Sequence, residues 1–124
     1  MKLLDILITD KKINKDQLSA LCKQWFKEMV KVVVDIEKKK IGIGGGLHAD
    51  AEDLMVQSGS LQEHLWGANI YPHRSPEKRI EYTAFINIRP NQDNPSMVIL
   101  NQDIKNKVEA VIKELVISDE EFLV

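Results

Sequence analysis

The hydrophobic period of the chain changes abruptly at Val30, and that change limits the folds open to it. Upstream, Leu18, Leu21, Cys22, Trp25 and Met29 recur at i, i+3, i+4, i+7 and i+11, one apolar stripe of an amphipathic helix. Asn14 stands as its N-cap, Gln17 holds the capping-box position, and Ile13 with Leu18 can form a hydrophobic staple. From Val30 onward the period is two. Val30, Val32, Val34 and Ile36 share one face of a strand; Lys31, Val33, Asp35 and Glu37 share the other. Helical and extended patterns this close together call for a domain in which helix and sheet use one core.

The remaining elements follow from shorter signals. Residues 3–8 are apolar and partly β-branched, and read as a first strand. Lys38-Lys39-Lys40 makes a turn into a strand from Ile41 to Gly44, and the glycines at 44–46 end it. Asp50 is the expected N-cap of a helix running to about Gln57, with Gly59 supplying the left-handed residue beyond it. Ser60 with Glu63 suits a further short capped turn. Two more strands are predicted, from Leu65 to Pro72 and from Arg79 to Arg89, the latter stopped by Pro90. Ile104, Val108, Val111, Ile112 and Leu115 mark a closing helix capped by Asn101 or Asp103. The order β-α-β-β-α-β-β-α predicts an α+β fold, with helices packed on one face of a mostly antiparallel sheet.

At 124 residues the chain suits one domain, 1–124, with 118–124 as an acidic and apolar tail. Seventeen Lys and Arg against 19 Asp and Glu leave a net charge of −2. Binding a phosphate backbone needs a concentrated basic face, so no nucleic-acid partner is expected. No apolar run approaches the ~18 residues that cross a bilayer, so no membrane is expected either. The apolar start is short, Asp5 interrupts it, and no small-residue cleavage site follows. With a single cysteine, Cys22, the expected location is the cytoplasm.

Few residues point to chemistry. The run Gly42-Ile43-Gly44-Gly45-Gly46 lacks a Gly-Lys-Ser/Thr ending and is followed by Asp50, Glu52 and Asp53, which repel an anion. These glycines read as conformational. His48 and Glu52 are four apart, yet one imidazole and one carboxylate make no metal site, and none is assigned. Cys22 lies on the apolar stripe and reads as core. Polarity inside the strands is more informative, because asparagine is depleted there and asks for a partner. If Val and Ile form the interior, the second face carries Asp35, Glu37, Asn69, Tyr71, Glu81, Asn87 and Arg89. The bland reading is a wet face with cross-strand pairs such as Arg89 with Asp35 or Glu81. The functional reading is a shallow polar pocket roofed by residues 45–60. Its candidate binding residues are Asp35, His48, Asn69, Tyr71, Asn87 and Arg89.

Several motifs together resemble a family of small prokaryotic proteins without an assigned function. They are Met29-Val30-Lys31-Val32-Val33-Val34-Asp35, Gly45-Gly46-Leu47-His48-Ala49-Asp50, Gly59-Ser60, Leu65-Trp66-Gly67-Ala68-Asn69-Ile70-Tyr71-Pro72 and Ile86-Asn87-Ile88-Arg89-Pro90. The resemblance spans about residues 29–117 and implies a free-standing domain, with no reaction, cofactor or catalytic residue to carry over. Where members of this kind begin a short loop, this chain reads His73-Arg74-Ser75-Pro76. Three readings stand open: a module binding a small molecule, a protein-interaction domain or homodimer, and a small enzyme using His48 or Asp35 as acid or base.

Overall fold

A computed structural model describes residues 6–123. The first strand, β1, is Leu7–Thr9; the part of that prediction covering residues 3–5 lies outside the described residues. Helix α1 follows at Lys15–Trp25, then strands β2 at Val30–Asp35 and β3 at Lys40–Ile43. Helix α2 is His48–Gln57, strand β4 is Leu65–Ile70, strand β5 is only Ile80–Glu81, and helix α3 is Gln102–Leu115. All strand pairings are antiparallel, in the order β1-β3-β2-β4-β5. The fold is α+β in the expected element order.

The local signals near α1 act as the residue types require. The Asn14 side chain accepts from the Gln17 N–H at 2.8 Å while the Gln17 side chain accepts from the Asn14 N–H at 2.9 Å, a complete capping box. At the other end of the chain it is Asn101, not Asp103, that caps α3, accepting from the Ile104 N–H at 3.0 Å.

Alternation on the strands divides the interior into two layers. Val30, Val32 and Val34, with Ile41, Ile43, Trp66, Ala68 and Ile70, face α1 and α3 in the larger core. Val33 and Leu65 point the other way and pack with Ala51 and Met55 of α2. The expectation of helices on one face therefore holds for α1 and α3 but not for α2. The reason lies in β2: its second face carries Val33 between Lys31 and Asp35, and that apolar residue needs cover. Gly42 makes the cover close, since a Cβ there would sit 2.9 Å from the Met55 sulfur.

Two further expectations are corrected. Helix α2 begins at His48, with Leu47 as an N-cap that offers no side-chain bond, so Asp50 is inside the first turn and caps nothing. The glycine run before it sets the entry instead, Gly44 and Gly45 having φ of 109° and 85°. The strand predicted from Arg79 to Arg89 survives for two residues. Beyond it the chain bridges Thr83 to Val98, makes a 3₁₀ turn at Phe85–Asn87 and another at Pro90–Gln92, and bridges Arg89 to Asn94.

The predicted tail is tied down. The Arg79 guanidinium donates to the carbonyls of Arg74, Ser118 and Glu121, and His73 Nδ1 meets the Leu123 carbonyl at 2.6 Å. Lys12 adds a bond to the Val116 carbonyl at 3.0 Å.

Candidate functional site

Strand β4 is paired with β2 along its full length, but on its other side β5 reaches only Asn69 and Ile70. The open side of residues 65–68 would expose backbone N–H and C=O groups that must find partners when buried. Side chains supply them. Asn87 Oδ1 accepts from the Gly67 N–H at 2.8 Å and its Nδ2 donates to the Gly67 carbonyl at 3.0 Å. One carboxamide thus replaces the residue that a neighbouring strand would have offered. Arg89 donates to the Leu65 carbonyl two residues away.

The same two residues hold the loop that carries them. Asn87 Nδ2 also donates to the Met97 carbonyl at 3.0 Å. Asn94, buried like Asn87, donates to the carbonyls of Asn87 and Ser96 at 2.8 and 2.9 Å and accepts from the Leu100 N–H at 2.9 Å. Residues 83–100 therefore form a shaped loop with an amide-filled interior. Gly67 permits its approach: a Cβ there would lie 2.6 Å from the Ala84 Cβ and 3.2 Å from the His48 ring.

Helix α2 meets this arrangement through two polar side chains on its inner face. Arg89 pairs with Glu52 at 3.3 Å, and not with Asp35 or Glu81 as the cross-strand reading had it. Both groups are buried, and desolvation outweighs their attraction. It raises the Glu52 carboxyl above its ordinary range despite Arg89, and lowers the Arg89 guanidinium despite Glu52. The Arg89 guanidinium also sits 4.7 Å from the Trp66 ring centre. His48 Nε2 lies 2.8 Å from the Ala68 carbonyl, which makes Nε2 the protonated nitrogen. Burial lowers the His48 pKa below the 6.5 of a free imidazole, with Lys31 adding to the effect, while the Ala68 and Asn69 contacts oppose it.

Of the six candidate residues, four come together. His48, Asn69, Asn87 and Arg89 lie along the α2 side of β4, but three of them spend their polar atoms on its backbone. Asn69 sits between Lys31 and Glu81 in register and donates to the Glu81 carboxylate at 2.8 Å, leaving its buried Oδ1 without a partner. Asp35 stands apart at the far end of β2, opposite Leu65, whereas Lys31 and Asn69 pair at the near end. It is fully buried and holds the turn after β2, accepting from the N–H groups of Glu37 and Lys38 and from the Ser60 hydroxyl at 2.7 Å. Ser60 is thus a partner of Asp35 and not a cap. Tyr71 lies beyond β4, stacked under Arg74 at 3.7 Å, in a cleft with Glu28 and His73. Asp35 and His48 are thus engaged at different places, Asp35 by the turn after β2 and Ser60, His48 by the β4 backbone. Cys22 is buried among the larger core and its thiol is pushed up to about 11. Among the described residues no three His, Cys, Asp or Glu side chains are grouped to hold a metal, and no helix is long and apolar enough to cross a membrane.

Absent from the candidate residues is the apolar outside of this loop and of the α2 segment beside it. Phe85 is 76% exposed, and Leu47, Leu61 and Leu100 are each more than half exposed. Its signal was present, because the alternation that placed Asn87 and Arg89 on the second face placed Phe85 there too. The polar pair turns inward, and the ring is left outside.

Fold and site together define a single-domain α+β protein in which buried amides and one buried ion pair brace an exposed apolar loop. The chain belongs to DUF5674, a family described as a protein of unknown function, whose family model matches residues 7–115. Comparison with curated proteins and with solved structures found no match.

Two measurements check this construction. Asn87→Ala leaves the Gly67 N–H and C=O without their partner and should destabilise the domain by about 3 kcal/mol in urea unfolding, with hydrogen-exchange protection lost first at Gly67. His48 gives a pH signature. The unfolded imidazole takes a proton near 6.5 while the folded one resists, so the unfolded state gains protons and stability falls as pH drops below 6.5. His48→Gln should flatten that part of the stability curve; a slope identical to the parent's means the ring is not held neutral.

Proposed function

We propose that this chain is a protein-interaction module whose binding surface is the 83–100 loop together with the outer side of α2. The observation that carries it is Phe85, a large aromatic ring 76% exposed on a loop fixed by two buried asparagines. Scattered surface leucines are ordinary, but here the exposure is uneven. Eight of the ten exposed large hydrophobics among the described residues belong to segments 47–61 and 85–100. Helix α2 and the turn Phe85–Asn87 are neighbours, with Ile86 packed against the small core of α2. A rigid, aromatic-bearing surface binds with little ordering cost and supplies the kind of anchor on which interface energy concentrates. A lone buried thiol suits a reducing compartment, and we place the module in the cytoplasm, with no nucleic-acid partner.

A second reading keeps a small polar ligand, at the corner where Lys31, Asn69 and Glu81 stand in register beside His48. It is favoured by the buried Oδ1 of Asn69, an acceptor that completes no hydrogen bond although the His48 ring is beside it and that a ligand N–H would satisfy. A thermal-shift screen of small amines and amides separates the readings. A compound that raises the parent's melting temperature but not that of Asn69→Ala supports the corner; no shift by any compound removes it.

The interaction reading is tested by placing benzoylphenylalanine at position 85 and irradiating the native cells. One discrete protein adduct is expected, lost when Leu100→Ser is added and absent when the probe replaces Phe122, which is 56% exposed on the tied-down tail. No adduct from position 85, or the same adduct from both positions, would overturn the proposal.

A further inference from the structure

The interaction surface has a sign. From Ile41 to His73 the sequence contains no lysine or arginine, while it holds Asp50, Glu52, Asp53 and Glu63. Glu52 is buried against Arg89, the one cation of the 83–100 loop, so neither contributes a free charge outside. What remains exposed on these two segments is Asp50, Asp53, Glu63 and Asp93, with no exposed cation among them. Lysines are gathered elsewhere in the sequence: nine of the seventeen basic residues fall between Lys11 and Lys40, of which Lys31 stands across from Asn69. Lys38 reaches the border of the surface, where its amine is held at 2.7 Å by the Gly59 carbonyl. Within these two segments the apolar residues displayed are accompanied by acids, and the cations beside them come from β2 and the turn after it: Lys31 near His48 and Lys38 on Gly59.

From this we infer that the partner is a cationic, amphipathic protein segment, one that places apolar side chains against Phe85 and its neighbours and Lys or Arg groups against Asp50 and Asp53. The inference rests on the interaction reading above and adds the partner's chemistry. Charge complementarity selects against the other occupants. Nucleic acid and anionic membrane surfaces carry the same sign as this surface and are repelled by it. A two-fold symmetric dimer through this surface would set two patches bearing the same acids, Asp50 and Asp53, against each other, with no exposed cation of either segment to pair with them. Basic amphipathic segments that lay an apolar stripe on a partner are a recurring mode of recognition, and this surface supplies both halves of the complement.

The test uses three synthetic 16-residue amphipathic peptides with the same leucine stripe and with Lys, Gln or Glu at the polar positions. They are titrated into the full chain and followed by amide chemical shifts. The Lys peptide should bind at 50 mM salt, with shifts confined to residues 47–61 and 83–100. Affinity should fall at least fivefold in Asp50→Asn/Asp53→Asn, at least fivefold in Phe85→Ser, and markedly at 300 mM salt, while the Glu peptide should not bind. Binding of the Gln peptide to the same residues as tightly as the Lys peptide would overturn the inferred charge of the partner and leave the interaction surface standing. Shifts centred elsewhere, for instance around Glu77, Glu109 and Asp119, or no shift with any peptide, would overturn the inference and count against the interaction reading as well.

Discussion

The carboxamide of Asn87 on the backbone of Gly67 is the contact on which the second side of this molecule depends. Strand β4 lies inside the sheet for two of its six residues and at the edge for the other four, because β5 ends at Glu81. An uncovered strand edge is a template for unwanted pairing, and proteins blunt it in several ways. Here it is closed by side chains from a loop. Asn87 satisfies both backbone groups of Gly67, Arg89 takes the Leu65 carbonyl, and the loop bends away where a full strand would have continued. The missing side chain of Gly67 and the amide of Asn87 are two halves of one device: any Cβ at 67 would push Ala84 outward and break the pair.

The Glu52–Arg89 pair couples that device to α2. Both ions are buried and both are displaced toward their neutral forms by loss of water, so the pair contributes little net stability against an apolar alternative. Its value is positional. Arg89 touches the β4 backbone, the Trp66 ring and a carboxylate on the inner face of α2, and only one placement of the loop allows all three. Apolar contacts between α2 and the loop could slide; this contact cannot without leaving a buried charge alone.

How much of this was legible depends on how local each signal is. The α1 stripe as far as Trp25, its capping box, the alternation of β2 and the Asn101 cap are decided within one or two turns of chain, and the structure follows them, while Met29 falls beyond the end of α1. The strand from Arg79 to Arg89 fails because alternation is necessary for a half-buried strand but not sufficient. Ile80, Ala84 and Ile86 do turn inward, yet a loop that dips in and out gives the same pattern. What decides between them is whether a neighbouring strand exists to take the backbone bonds, and that is a property of the whole sheet. The polar residues were legible in a different sense. Asn69, Asn87 and Arg89 in apolar surroundings correctly demanded partners; for Asn87 and Arg89 those partners are backbone groups distant in sequence. Asp50 misled because a good capping residue has no claim on a helix whose start is fixed by the glycines before it.

A loop whose interior is polar and whose exterior is apolar inverts the usual arrangement, and the inversion has a physical reading. Amides have directional needs, so Asn87 and Asn94 fix the loop to one shape more strictly than packed aliphatic groups would. None of that fixing requires Phe85: the ring makes no hydrogen bond and is mostly in water. Stability alone would be served as well by a polar residue there, and solubility would be served better. A loop held in shape by bonds that do not involve the exposed ring presents that ring the same way with or without a partner. The ordering that association ordinarily demands has then been met in the free chain. The buried polar residues and the exposed apolar ones are therefore two parts of one arrangement, the first setting the geometry and the second using it.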